Sequence, residues 1–136
     1  RMGAGERSRD SPMKLGRKEF DRVVSRSLRR IPPEIRDQMG NILISVVNRP
    51  SPALLEEMGV PPGETLLGVY RGVPLMERSA VEPPLYPDMI LLFQEPLEMM
   101  CHTVRELERQ IEITVVHEVA HFLGIDEEWL AEAGYA

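Results

Sequence analysis

Between Lys18 and Arg30 the apolar residues recur at spacings of three and four, through Phe20, Val23, Val24 and Leu28. This predicts an amphipathic helix with one buried face, stopped by Pro32-Pro33. A short acidic turn or helix, Glu34 to Met39, leads to Ile42-Leu43-Ile44-Ser45-Val46-Val47, whose mainly apolar, β-branched character predicts a strand buried on both faces. Ser51-Pro52 opens a brief helix ending near Gly59, with Ser at the N-cap and Pro in the first turn, and Pro61-Pro62-Gly63 makes a turn. Thr65 to Arg71 reads as a second strand, continued by Val73 to Arg78 after a break at Gly72 and Pro74. A Pro-rich loop, Val81 to Asp88, precedes a third strand, Met89 to Gln94, and one helical turn, Glu95 to Met100. Val104, Leu107, Ile111, Val115 and Val119 mark the face of a long helix, with Thr103 as N-cap and Glu106 three residues on. Glu127 to Ala133 forms a last short helix closed by Gly134.

The long helix carries the chemistry. Its end reads His117-Glu118-Val119-Ala120-His121, and residues four apart share a helix face, so two imidazoles can close on one tetrahedral zinc ion. Glu118 stands beside them without being a ligand, placed to take a proton from a water attacking a carbonyl. The continuation Phe122-Leu123-Gly124-Ile125-Asp126-Glu127 extends the pattern to HExxHxxGxxE. Gly124 lets the helix stop and the chain fold back. Glu127 stands where extended motifs of this kind place their third ligand. Asp126, Glu128 and Glu132 are carboxylates within reach, so the choice of Glu127 rests on spacing.

With 136 residues, 43% of them hydrophobic, the chain suits one domain with one core. Residues 1–15 read as a disordered or vector-derived leader and 16–136 as the domain. No apolar run approaches the ~20 residues of a membrane span, and no signal peptide is evident, which points to the cytoplasm. Cys101, the single cysteine, excludes an internal disulfide and a Cys-based zinc site; it reads as a structural thiol. His102 beside it is poorly placed to activate it or to ligate metal. Residues 1–36 carry net charge +6 and residues 37–136 net −12. The positive residues interleave with the apolar face of the first helix, so they read as its solvated side near an acidic body. A nucleic-acid contact by this arm is disfavoured, since aromatic residues make up only 5% of the chain and leave little for base stacking.

Beyond the motif, residues 20–135 resemble a family of small bacterial proteins, the minimal zincin-like metallopeptidases. The resemblance runs through Pro50-Ser51-Pro52, Gly63-Glu64-Thr65-Leu66-Leu67-Gly68, Gly72-Val73-Pro74-Leu75 with Glu77-Arg78-Ser79, and His117 to Glu128. It implies a compact α+β domain with a small sheet packed beside the HExxH helix, and Zn²⁺ held by His117, His121 and Glu127, where the family commonly has Asp. It also implies peptidase activity on a peptide or protein substrate, without naming one. The methionine turn of larger metzincins is missing, since the last methionine, Met100, precedes the motif. Arg78 and Tyr135 are candidates for binding an oxyanion or a carboxylate, but a structural role for each is favoured. The competing function is a non-catalytic zinc-binding or peptide-binding module with the same ligands. Glu118 favours catalysis, because a structural zinc site has no use for it.

Overall fold

The computed structural model describes residues 13–72 and 88–135. The expected strand over Val73–Arg78, most of the Pro-rich loop, Arg78 and leader residues 1–12 lie outside them. Helices α1 (Arg17–Arg29), α2 (Pro33–Arg36) and a 3₁₀ turn lead to strand β1 (Ile42–Val47). Helix α3 (Pro52–Glu57), strand β2 (Gly68–Arg71), strand β3 (Asp88–Phe93) and helix α4 (Gln94–Met99) follow. Helices α5 (Val104–Leu123) and α6 (Glu127–Glu132) complete the domain. The sheet order is β1-β3-β2, with β1 parallel and β2 antiparallel to β3. The fold is α+β, with this small sheet beside the HExxH helix.

The two apolar faces read from the sequence meet each other. Phe20, Val23 and Val24 of α1, with Ile90 and Leu92 of β3, close one core around Leu107, Ile111, Val115, Val116 and Val119 of α5. The polar face of α1 is tied to α5 as well: Glu108 receives Arg26 at 2.8 Å and Arg30 at 3.0 Å. These pairs hold the Glu108 carboxyl below its usual range, chiefly through the Arg26 hydrogen bond. At the other end of α1, Leu15 N–H donates to Glu98 at 2.9 Å and Gln94 donates to the Leu15 carbonyl at 3.0 Å, so the chain is anchored just before the helix begins. Cys101 is a buried free thiol.

Two expectations change. Strand β1 is not buried on both faces: among the described residues it lies at the edge of the sheet beside β3, Leu43 is 52% exposed, and Ile42, Ile44 and Val46 turn to the core. A mainly apolar run does not distinguish the two cases when outward positions such as Leu43 and Val47 are also apolar. Strand β2 is shorter than Thr65–Arg71. Its ladder with β3 starts at Gly68, although the Leu67 carbonyl still accepts from Phe93 N–H at 3.0 Å. Among the described residues, no helix is long and apolar enough to cross a membrane.

Candidate functional site

Helix α5 starts where its cap requires. Thr103 Oγ1 accepts from Glu106 N–H at 3.1 Å, while the Glu106 carboxylate reaches back to His102 N–H at 2.7 Å, a near relative of the capping box. The helix ends at Gly124, whose φ of 75° is left-handed, and there the chain turns into α6. His117, Glu118 and His121 therefore lie in its last two turns, with His117 and Glu118 half-buried and His121 exposed.

Glu118 is the best-defined of the three. Its Oε1 accepts from the main-chain N–H of Tyr70 in β2, at 3.0 Å. Leu67 and Phe93 form a hydrogen-bonded pair, so by antiparallel alternation the Tyr70 N–H points away from β3, to the outer side of β2 among the described strands. Gly68 makes the approach possible: a Cβ there would stand 2.9 Å from Thr114 Cγ2 and 3.0 Å from the Leu91 carbonyl oxygen. The ring of Tyr70 stacks on Phe122 with centroids 4.5 Å apart, and its hydroxyl donates to Asp88 at 2.8 Å, which ties the strand to the end of α5. Burial pushes the Glu118 carboxyl above its usual pKa, against the Tyr70 hydrogen bond and the nearby His121 and His117, which act the other way. A groove of about 280 Å³ runs between Thr65–Gly68 and α5, and both His117 and Glu118 line it. The larger hollow of about 660 Å³ by Leu55, Met99 and Met100 contains none of the three motif side chains.

The imidazoles of His117 and His121 face each other edge-on, with centroids 6.5 Å apart. Two imidazoles on one zinc at ~2.0–2.1 Å would stand roughly 5 Å apart, so the two rings stand wider than a shared ion requires. The carboxylates do not stand with them. Among the described residues, no three His, Cys, Asp or Glu side chains form a group that could hold a metal ion. Glu127 is exposed on the first turn of α6, as is Glu128. Asp126 is the N-cap of that helix, its Oδ1 accepting from Trp129 N–H at 2.8 Å.

Three features escaped the sequence reading. The Tyr70 N–H that holds Glu118 and the Tyr135 carbonyl that receives His117 Nε2 are main-chain groups, which no residue type announces. Glu112 did carry a signal: it is a carboxylate inside the otherwise uncharged run Ile111–Val116, and it is only 3% exposed. Its partner is Tyr135, buried against the domain as expected of a packing residue, whose hydroxyl donates to Glu112 Oε2. Burial, reinforced by Glu112, pushes the Tyr135 phenol up to about 12.

The family described as zincin-like metallopeptidase matches residues 39–135, a span that takes in both the sheet and the motif helix. The chain belongs to that family. Among solved structures, a conserved hypothetical protein from Thermo thermophilus is similar, with a TM-score of 0.51 and 19% identity. The alignment covers 87% of this chain and 99% of that one. At that identity the likeness concerns the fold. No curated protein matches the chain.

The raised phenol of Tyr135 has a measurable consequence. A group whose folded pKa exceeds its unfolded value, near 10 for tyrosine, contributes stability that is fully present below pH ~10 and lost as pH rises through the folded value. The Tyr135 phenolate absorbance, taken as parent minus Tyr135→Phe, should therefore emerge in step with loss of helical circular dichroism towards pH about 12. Titration near pH ~10 with the fold intact would contradict the burial of this hydroxyl.

Proposed function

We propose that the protein is a zinc-dependent peptidase in which His117, His121 and Glu127 hold the metal and Glu118 is the catalytic base. The observation that carries this reading is Glu118: a half-buried carboxylate between two histidines, with one oxygen fixed by Tyr70 N–H at 3.0 Å. Zinc, when bound, supplies Lewis acidity towards a carbonyl and towards water. The rest falls to the chain. Oε1 is committed to the sheet edge, so Oε2 takes the proton of the attacking water and later returns it to the leaving amine. Desolvation raises the proton affinity of this carboxyl, which suits a group that must both accept and release a proton. The groove between Thr65–Gly68 and α5 accommodates an extended peptide beside an edge strand, and its ~280 Å³ allows only shallow recognition. A peptide or protein substrate and a cytoplasmic site of action belong to this proposal.

One observation favours the second reading, a zinc-binding or peptide-binding module: the carboxylate ligand is not gathered with the histidines among the described residues. Cleavage of a diverse peptide pool decides between the two. The zinc-loaded protein should cleave, lose activity on chelation and regain it on adding zinc, and should bind a peptide hydroxamate. Cleavage that ignores the chelator belongs to a contaminant. A zinc-loaded protein that neither cleaves nor binds hydroxamate is the module.

A further inference from the structure

Met99 and Met100 are large apolar side chains left 67% and 56% exposed at the end of α4. With Pro50, Leu55, Leu67 and Pro96 they line the hollow of about 660 Å³, a size within the ~300–1,000 Å³ of sites that take small ligands. Part of its wall is fixed. Glu95 N–H donates to the Asn48 carbonyl at 2.9 Å, and Arg49 pairs with Glu95 at 3.2 Å, which ties the loop before α3 to the start of α4. The methionines supply a wall that adapts, being unbranched and polarizable. Arg49 is neutralised by its pair, whereas Glu64, exposed on the rim, has no basic partner among the described residues. Thr65 and Leu67 line both this hollow and the groove that holds Glu118, so the two cavities meet at one segment.

We infer that the hollow is a remote recognition subsite for a peptide: it takes a bulky apolar side chain such as leucine, methionine or phenylalanine, and Glu64 draws a basic residue beside it. The inference rests on the groove being a peptide site, as proposed above, and needs no metal. Leu67 lies three residues before Tyr70, on whose N–H Glu118 rests, and Thr65 lies five before it. An extended peptide following this segment advances ~3.3 Å per residue, so the anchoring side chain falls about three to five residues from the position beside Glu118. Charge selects the occupant. Residues 37–136 carry net −12, so a cationic peptide is drawn to this face while a second copy of the chain would meet it with like charge.

The test is binding to the metal-free full chain, read by the fluorescence anisotropy of labelled Gly/Ser peptides. One carries a Leu-Lys pair, one has Ser in place of the Leu, and one has Glu in place of the Lys. Removing the leucine should weaken binding about tenfold, the effect of burying much of one such side chain. Methyl NMR of the methionines should show Met99 and Met100 moving as the Leu-Lys peptide is added, while Met39, packed against the core, stays. Met99→Ser with Met100→Ser, both at exposed positions, should lose most of the leucine preference, and Glu64→Lys should reverse the choice between the Lys and Glu peptides. Binding without leucine dependence, or with Met99 and Met100 unmoved, overturns the subsite and leaves the groove as a peptide site. No binding of any of the peptides overturns the subsite too, and cleavage of the peptide pool then judges the groove by itself. Met99 and Met100 signals that move with protein concentration alone mark a second copy as the occupant and overturn the peptide. Leucine-dependent binding at Met99 and Met100 by a protein that, loaded with zinc, cleaves nothing keeps the subsite and removes the peptidase.

Discussion

Glu118→Gln should lower peptide cleavage by the ~10²–10⁴ that general acid–base catalysis contributes, with zinc content and fold unchanged. The amide keeps a carbonyl oxygen for Tyr70 N–H, the contact that fixes Glu118 at 3.0 Å, but it has no basic site for the proton of the attacking water. Stability separates this loss from damage. The folded pKa of Glu118 is raised, so its contribution to stability is present below the unfolded carboxylate value and lost as pH rises through the folded one. The metal-free variant should consequently melt no lower than the parent at neutral pH. Any advantage should disappear in acid, where the parent carboxyl is protonated too. Equal cleavage by the parent and Glu118→Gln would remove the catalytic role.

Stoichiometric zinc should be absent from His117→Ala and from His121→Ala. Each substitution removes one of two imidazoles that a four-residue helical spacing puts on the same face, and a catalytic zinc has three protein ligands. On the proposed reading the third is Glu127, so Glu127→Gln should weaken zinc binding while Glu128→Gln should not. Asp126→Asn is the sharper control, because Asp126 already caps α6 through Trp129 N–H at 2.8 Å and Asn caps equally well. Elemental analysis and chelator competition read all five variants. Loss of metal in Asp126→Asn, with Glu127→Gln intact, would show that the spacing argument picked the wrong carboxylate.

Much of the fold was legible because it depends on short stretches. The helix over Arg17–Arg29, the Ser51 cap, the Thr103–Glu106 cap and the Gly124 stop follow from side chains within one or two turns of each other. So did the placement of His117 and His121 on one helix face. The edge position of β1 was not legible, since it depends on which strand lies beside it. Strand pairing joins residues far apart in the chain, and Ile42–Val47 has the same composition in either setting.

The sequence by itself determined that this chain has a helix ending in His117-Glu118-Val119-Ala120-His121, and which carboxylates follow it. That much is covalent spacing and helical periodicity. Only the tertiary structure decided that Glu118 rests on Tyr70 N–H, and that Gly68 lets β2 come close enough for it. It alone also placed Glu112 and Tyr135 so that a carbonyl receives His117 Nε2. Main-chain groups are common to every residue, so their positions come from packing, and packing directs the chemistry that the motif makes available.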